Sequence, residues 1–420
     1  MMSPASRPTA LLLSLILLLL AAAGAAQEDA SQAEAPPPGA LLELTPTGTY
    51  SAAQVDGNTA GRFRNDGETP PSAQTPVDSY LMRYQSSWSD GSPAQVTAQL
   101  FIPQQPAETH KLFVFGPGST GLVEACAPSR AFVDSRTFDT YGAYTLAYAG
   151  QGIVSVMPNY LGFFDVGTIQ PYFDRVAEGQ VMLDAIRAAG EALEQLELPL
   201  ADLPAFVGGY SQGGHAAFAA ADLLAEYAPE VQLAGVVGFG PTTIMSNLFL
   251  EFTFVAPWVL HALAVFEPGT VDPAELLLPP YRDSLAADAE RLCILEAQRY
   301  YPSSPDSLFT GEFVGALRDG TLGDSYPELA RTFAANDAGL AGHGVPAIIL
   351  QGVDDPVVHI DSQNAFVAQL CENGSPVRYP NYLRTRHETR YIGFRDAIDW
   401  MEGLASGAEA PSDCAAVLSQ

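Results

Sequence analysis

A Gly-x-Ser-x-Gly motif at residues 209–213 constrains this chain more than any other feature. Phe206 and Val207 before it indicate a strand, and the alanine-rich run 215–227 after it predicts a helix. A sharp strand-to-helix turn would hold the hydroxyl of Ser211 above a sheet, because the flanking glycines lack the Cβ atoms that would clash there. The alternative is a glycine-rich turn whose serine only caps a helix.

The rest of the chain alternates between strand and helix patterns. Two extended runs, 79–86 and 95–102, are separated by a turn and predict an antiparallel pair. Helical patterns, notably 175–196, then alternate with short apolar runs that are typical of buried parallel strands: 112–115, 153–157, 206–208, 236–239 and 347–350. This pattern predicts an α/β fold with a mostly parallel sheet, helices on both faces and catalytic groups at the carboxyl ends of the strands.

Composition shifts suggest the order of the segments. Residues 1–26 combine an apolar core with small residues before a cleavage point, which predicts a secretory signal peptide and an exported protein, secreted or periplasmic. The next stretch is rich in Pro, Gly and Ala and is expected to be a flexible leader. The predicted organisation is a signal peptide at 1–26, a leader at 27–75, a first core segment at 76–243, a helical lid or cap at 244–343, and a second core segment at 344–420.

The insertion at 244–343 contains the most apolar part of the chain after the signal peptide, residues 248–266. Glu251, Pro257 and His261 interrupt this stretch, so it is a poor candidate for a membrane helix. Two interpretations remain open. The stretch is either a lid that binds an acyl group or a cap helix buried against the main domain.

Charge excludes one class of partner. The 420-residue chain carries 48 Asp and Glu against 19 Lys and Arg, a formal net charge of -29, which argues against nucleic acid binding. Lysine occurs once, at Lys111. The acidic excess fits either a surface adapted to salt or a GC-rich genome that replaces lysine by arginine.

The chain has four cysteines, at Cys126, Cys293, Cys371 and Cys414. In an exported protein an even number favours two disulfides, and three pairings are open. Their wide separations are wrong for a zinc cluster, so we expect no metal and no cofactor.

A nucleophilic serine needs a base, and the base needs a carboxylate to orient it. The run 347–350 continues into a turn that contains Asp354 and Asp355. We prefer Asp355 because of the Val-Val that follows, with Asp354 as the near alternative. These aspartates could instead only form an Asx turn.

Among the histidines, His387 fits the base best, because it lies in a loop between a strand-like run, 377–383, and a predicted helix, 390–404. His359 is the alternative. His215 lies four residues after the serine and is expected to pack beneath the turn. The remaining three are expected to be structural or exposed: His110, His261 and His343.

Two backbone N–H groups are expected to hold a developing oxyanion. One belongs to Gln212, at the positive end of the helix that follows the serine. The other belongs to the loop 116–121, from Thr120 or Ser119. A phosphate-binding loop is the competing interpretation, but the run does not end in Gly-Lys-Ser/Thr.

Several motifs together resemble the secretory lipase family of the α/β-hydrolase superfamily. The resemblance spans roughly residues 75–415 and rests on Gly118-Ser-Thr-Gly121, Cys126-Ala-Pro-Ser129, Pro158-Asn-Tyr-Leu-Gly162, Gly209-Tyr-Ser-Gln-Gly-Gly-His215, Ala228-Pro-Glu-Val-Gln-Leu233, Asp355-x-Val-Val and His387. It implies hydrolysis of lipids or other acyl esters and a helical lid inserted before the acid. It also implies site roles: a triad of Ser211, Asp355 and His387, an oxyanion position at Thr120, and disulfides that join Cys126 to Cys293 and Cys371 to Cys414.

The chain departs from the family pattern at two positions. Bacterial members usually have His where this chain has Pro117, and proline where it has His359. The first difference concerns the shape of the oxyanion loop, and neither removes a triad residue.

The predicted function is an exported carboxylic-ester hydrolase of lipase or esterase type. Its partner would be a small acyl ester or lipid, with transient contact with a lipid interface. The same machinery could transfer an acyl group to an alcohol or cleave a small peptide bond. A protein of another class, a non-catalytic binder, could also use the scaffold.

Overall fold

The fold is described from a computed structural model that covers residues 35–65, 67–106, 111–130, 141–164, 166–198 and 203–419. The predicted signal peptide at 1–26, the start of the predicted leader at 27–34 and His110 lie outside these residues. The elements below all belong to the unit Pro37–Gln420.

In the described part of the chain, ten strands form one sheet. They are β1 (Leu41–Tyr50), β2 (Val77–Ser87), β3 (Pro93–Pro103), β4 (Leu112–Gly116), β5 (Val154–Pro158), β6 (Ala205–Tyr210), β7 (Leu233–Phe239), β8 (Ala347–Gly352), β9 (Val377–Arg378) and β10 (Asn381–Tyr382). Their spatial order is β1-β2-β3-β5-β4-β6-β7-β8-β10, and β9 also pairs with β8.

The sheet is antiparallel at one end and parallel through its centre. β1, β2 and β3 form antiparallel pairs, and β3 also runs antiparallel to β5. From β5 through β4, β6, β7 and β8 to β10, the neighbouring strands are parallel. The predicted antiparallel pair and the predicted buried parallel strands are therefore confirmed, as is the α/β class.

In the described part of the chain, four α-helices precede the long insertion: α1 (Ala52–Asn65), α2 (Tyr141–Gly150), α3 (Arg175–Gln195) and α4 (Gln212–Tyr227). Alternate side chains of the central strands point to opposite faces of the sheet. On β4, Val114 belongs to the apolar cluster that contains residues of α3 and α4, whereas Phe113 and Phe115 belong to the cluster that contains residues of α2. Helices thus cover both faces, which is why these strands read as continuous apolar runs.

Residues 245–336 are mostly helical and supply most of one apolar cluster, in which Trp258 is fully buried. Leu122, Ile169, Tyr172 and Phe173 of the core segment belong to the same cluster. The helices are α5 (Met245–Glu251), α6 (Ala256–Phe266), α7 (Pro273–Leu276), α8 (Pro279–Arg282), α9 (Leu285–Arg291), α10 (Ile294–Tyr300), α11 (Gly311–Arg318), α12 (Leu322–Ser325) and α13 (Pro327–Asn336). Among the described helices, none alone has the length and apolarity to cross a membrane. Met245–Glu251 and Thr253–Phe266 meet that test only as a pair bent by 110°.

The carboxyl-terminal segment differs in detail from its prediction. Its helices are α14 (Ile360–Glu372), α15 (Thr389–Ile392), α16 (Phe394–Ala405) and α17 (Cys414–Val417). The predicted single strand at 377–383 is two short strands on either side of Tyr379 and Pro380. Proline has no N–H to donate to a ladder, so the pairing stops and resumes after it. The predicted helix at 390–404 is likewise divided, at Gly393.

The prediction of a flexible leader is wrong for residues 41–65. β1 pairs with β2 from Leu41 to Tyr50, and α1 follows it. Local composition suggested disorder because the apolar residues of this stretch are few. Those few are well placed, since Phe63 on α1 is buried against Tyr391 and Phe394.

Two disulfides are present, Cys126–Cys293 and Cys371–Cys414. They are the two pairs that the family resemblance implies. The first joins the loop after β4 to the helical insertion, and the second joins α14 to the start of α17. Each closes a large loop and therefore restricts the unfolded chain.

Truncation of the buried Phe63 side chain on α1 tests whether this part of the predicted leader is folded. We expect Phe63→Ala to lower the free energy of unfolding by about 3–5 kcal/mol, as large-to-small changes in a core do. The measurement is urea unfolding followed by circular dichroism. Asn58→Ala, at an exposed position of the same helix, is the control, and equal midpoints for the two variants would contradict the packing.

Candidate active site

The turn between β6 and α4 holds Ser211 in a strained backbone conformation. Its φ is 55° and its ψ is -114°, a region that side-chain-bearing residues seldom occupy. The Ser211 N–H donates to the carbonyl of Phe239 at 3.1 Å, and the Ser211 carbonyl accepts from Gly214 at 2.9 Å. The side chain is buried, and its Oγ lies 3.4 Å from Oγ1 of Thr242.

The motif glycines are explained by backbone packing. A Cβ on Gly213 would lie 1.8 Å from the carbonyl oxygen of Gly116, and a Cβ on Gly209 would lie 2.2 Å from the carbonyl carbon of Gly213. Both distances are shorter than any non-bonded contact. The end of β4, the end of β6 and the first turn of α4 therefore meet only because these residues are glycines.

Asp355 follows β8 and is held by several donors. The N–H groups of Val357 and Val358 donate to its Oδ1 at 2.8 and 3.0 Å, and Gln351 Nε2 donates to its Oδ2 at 3.3 Å. His387 Nδ1 lies 2.8 Å from the same Oδ2. Burial opposes ionisation of this carboxyl, but His387 and the two N–H groups outweigh it and hold the pKa of Asp355 below its ordinary value.

Ser211 and His387 line one cavity of about 540 Å³. The Nε2 atom of His387 is buried, and it has no hydrogen-bond partner among the described residues. Its ring packs 4.7 Å from the ring of Tyr210, the residue before the serine. The structure therefore brings together the predicted serine, acid and base, with the outer nitrogen of the histidine available to a hydroxyl.

The near alternatives lie elsewhere. Asp354 is exposed. His359 has an exposed side chain whose Nδ1 lies 3.7 Å from Glu251. Neither residue lines the cavity. Among the described residues, no group of three or more His, Cys, Asp or Glu side chains is arranged to hold a metal ion.

Of the predicted oxyanion residues, Gln212 directly follows the serine and Ser119 lines the same cavity, whereas Thr120 is not part of the lining. Gln212 is the first residue of α4, where backbone N–H groups have no partner within the helix. Ser119 lines the cavity, and Thr120 beside it is buried with its carbonyl accepting from Ile294 at 2.8 Å. The Ser119 hydroxyl forms a hydrogen bond with that of Tyr172 at 2.5 Å.

A buried ion pair lies beneath the turn, as expected for the position of His215. Its Nδ1 is 2.6 Å from Glu178 on α3, and its Nε2 is 2.7 Å from the carbonyl of Asn336 on α13. Burial lowers the pKa of His215, but the charge and hydrogen bond of Glu178 outweigh it, so the net shift is upward. Glu178 also accepts from the Gln212 side chain at 2.7 Å. Glu178 could not be predicted from the sequence, because its position in a helical pattern does not reveal its partners.

A second buried cation, Arg390, lies behind the histidine loop. Its guanidinium carbon is 4.7 Å from the ring of Tyr141 and 4.8 Å from the ring of Tyr210, both of which line the cavity. Its Nε donates to Glu388 at 2.9 Å. Cation–π contacts of this kind are stronger when desolvated, so Arg390 holds the cavity wall next to the serine.

The helical insertion supplies an apolar wall. Phe252, Phe254 and Ile294 line the cavity together with Val357. Phe252 lies 6.3 Å, between ring centres, from His387. The predicted lid stretch is thus largely buried in a cluster that it shares with core residues, and a few of its side chains also line the cavity.

Comparisons with known proteins agree on the family and the fold. The profile of the family described as "Secretory lipase" matches residues 140–412. A trichothecene C-3 esterase from Fusarium sporotrichioides is 26% identical over 352 residues, 78% of this chain and 75% of that protein. A probable inactive lipase from Mycobacterium tuberculosis is 24% identical over 327 residues, 74% of this chain and 70% of that protein.

Among solved structures, the rice cell wall degrading esterase LipA from Xanthomonas oryzae is similar. Its TM-score is 0.70 at 18% identity, over 88% of this chain and 97% of the esterase. Candida antarctica lipase A in its closed state gives a TM-score of 0.67 at 18% identity, over 91% of this chain and 89% of the lipase. These similarities show the α/β-hydrolase fold.

The glycine contact predicts a large difference between two Gly→Ala changes. Gly213→Ala is expected to lower the free energy of unfolding by at least about 2–3 kcal/mol, because the new methyl overlaps the Gly116 carbonyl. Gly190→Ala on α3, where a Cβ meets nothing within 4 Å, is expected to stabilise by about 0.5–1 kcal/mol. Urea unfolding of both variants checks this, and equal effects would contradict it.

The ion pair beneath the turn predicts a pH dependence. A histidine with a raised native pKa stabilises fully below its unfolded pKa, about 6.5, and this contribution is lost as pH rises through the native pKa. The stability of the wild type relative to His215→Gln should therefore fall as pH rises above about 6.5. Urea unfolding at a series of pH values measures this difference.

His343 supplies a control of opposite sign. Burial lowers its pKa, so the stability of the wild type relative to His343→Gln should rise over the pH range below about 6.5. A pH-independent difference for His215→Gln would contradict the charged pair.

Proposed function

We propose that this chain, which belongs to the secretory lipase family, is an exported ester hydrolase that works through a serine nucleophile and an acyl-enzyme. The ester-hydrolase class follows from the family. The observation that supports the serine mechanism is that Ser211 and His387 line one cavity and that His387 is hydrogen-bonded to the buried Asp355.

In the first step, Ser211 Oγ attacks the ester carbonyl while His387 Nε2 accepts the hydroxyl proton. The imidazolium that forms is stabilised by Asp355, whose lowered pKa keeps it ionised at neutral pH. His387 then donates the proton to the leaving alcohol, and the acyl group remains on the serine. Water activated by the same histidine releases the acid and restores the serine.

The negative charge on the carbonyl oxygen needs fixed donors. The N–H of Gln212, at the start of α4, and that of Thr120, in the loop after β4, would supply them. Glu178 supports both positions. It binds the Gln212 side chain directly, and Gln212 binds Gln170, which donates to the carbonyl of Gly121.

Export is supported by three independent features. The family is a secretory one, the chain contains two disulfides, and residues 1–26 have the composition of a signal peptide. We therefore propose that the protein acts outside the cytoplasm, secreted or in a periplasm, on a small acyl ester or lipid.

The nucleophile is tested by Ser211→Ala. We expect the turnover of p-nitrophenyl butyrate to fall by at least ~10^4-fold, because triad deletions generally have effects of this size. A fluorophosphonate probe should label the wild type at Ser211 and leave the variant unlabelled. A folded wild type that the probe does not label would instead support a non-catalytic binder.

The acid is tested by a matched pair of neighbouring aspartates. Asp355→Asn is expected to lower turnover by about 10^4-fold, since a neutral amide neither orients the imidazole nor stabilises its charge. Asp354→Asn removes the same charge one residue away, at an exposed position outside the cavity, and should keep wild-type turnover. Equal losses in the two variants would contradict the choice of Asp355.

A further inference from the structure

We propose that the preferred ester of this enzyme also carries a carboxylate, which Arg384 and Arg386 bind at the mouth of the active-site cavity. The inference rests on the proposed ester hydrolysis at Ser211 and specifies its substrate class. It starts from two arginines that the hydrolytic mechanism does not use.

Both arginines belong to the loop that carries the proposed base. Arg384 and Arg386 are exposed, and both line the cavity that contains Ser211 and His387. The intervening Thr385 is hydrogen-bonded to the turn that contains Asp354 and Asp355, because its carbonyl accepts from the N–H of Asp354 at 3.0 Å. The two guanidinium groups are therefore carried by a short segment that is hydrogen-bonded at its centre, rather than by a free loop.

The charge balance of the chain makes unpaired arginines uncommon, and Arg384 and Arg386 are the arginines that line the cavity. With 48 acidic against 19 basic residues, carboxylates are abundant, and most arginines in the described regions form ion pairs. The paired ones are Arg83, Arg130, Arg175, Arg187, Arg282, Arg291, Arg318, Arg331, Arg378, Arg390 and Arg395. Within the described residues, neither Arg384 nor Arg386 has a carboxylate oxygen within 4 Å. Two unpaired guanidinium groups at the cavity are thus available to an external anion.

The other charges of the cavity do not cancel this pair. Glu388 is matched by Arg390 at 2.9 Å, and Glu68 is the remaining carboxylate of the lining. Two unpaired cations therefore face one acid. Among the lining side chains the excess is positive, although the ionised Asp355 lies next to His387 outside the lining and the chain as a whole is strongly negative. An acidic chain repels anionic substrates, so an anionic ester would need such a local cationic site to bind.

The apolar part of the lining explains why the ligand must have two different ends. Phe252, Phe254 and Val357 are apolar and suit the hydrocarbon part of an ester. Guanidinium groups are planar, permanently charged donors whose geometry matches a carboxylate. A half-ester of a dicarboxylic acid satisfies both, with its ester carbonyl at the serine and its free carboxylate at the arginines.

The test compares substrates that differ in one charge. Monoethyl adipate is anionic at neutral pH, and the ethyl ester of adipamic acid is its neutral carboxamide analogue. Hydrolysis of both is followed by liquid chromatography of the released ethanol and acid. We expect wild-type kcat/KM to favour the anionic ester, and the ratio of the two kcat/KM values to fall at least tenfold in the double variant Arg384→Asn, Arg386→Gln. Asparagine is chosen at 384 because φ there is 60°.

Two further variants make the result specific. Arg395→Gln removes the same charge from an exposed position of α16 outside the cavity and should leave the ratio at its wild-type value. Glu68→Gln removes the opposing charge and should raise the ratio. Circular dichroism and thermal melting verify that each variant is folded.

The outcomes separate this inference from the proposed function. If the wild type hydrolyses both esters with equal kcat/KM, or if the ratio is unchanged in the double variant, the carboxylate site is wrong and ester hydrolysis stands. If Ser211→Ala hydrolyses both esters as fast as the wild type, the serine mechanism itself is wrong. The inference is supported if the ratio of the two kcat/KM values falls at least tenfold in the double variant and keeps its wild-type value in Arg395→Gln.

Discussion

The site depends on one close approach of backbones, between the end of β4 and the first turn of α4. The carbonyl of Gly116 lies where a Cβ of Gly213 would be, so no larger residue fits at that position without moving a strand or a helix. This contact places the loop after β4, with Ser119 and Thr120, beside the serine turn. It therefore sets the distance between the two proposed oxyanion donors before any side chain is considered.

Around that contact, buried charges are arranged in separate pairs. Asp355 is bound to His387, which lines the cavity, whereas Glu178 and His215 lie beneath the turn. Both histidines bind a carboxylate through Nδ1, but their other nitrogens differ. Nε2 of His215 is occupied by a carbonyl, and Nε2 of His387 has no partner among the described residues. Only the second arrangement suits proton transfer, so the first is a structural support despite its similar geometry.

The helical insertion is attached to the site and not merely placed over it. The disulfide from Cys126 to Cys293 and the hydrogen bond from Ile294 to Thr120 join α10 to the loop after β4. Ile294 itself lines the cavity. Any movement of this part of the insertion would move the proposed oxyanion loop with it, so the insertion and that loop are mechanically linked.

Sequence alone determined the features that depend on local pattern: the alternation of strands and helices, the turn at Ser211, and Asp355 and His387 as the acid and base to test. These follow from periodicity, turn chemistry and chain order. Tertiary structure decided what depends on contacts between distant segments. From the residues alone, three cysteine pairings were open, and β1 and α1 were not predicted. The sequence also did not show that Glu178 pairs with His215 or that Arg384 and Arg386 have no carboxylate partner among the described residues. Such contacts join residues whose separation along the chain carries no periodic signal, so only the folded chain shows them.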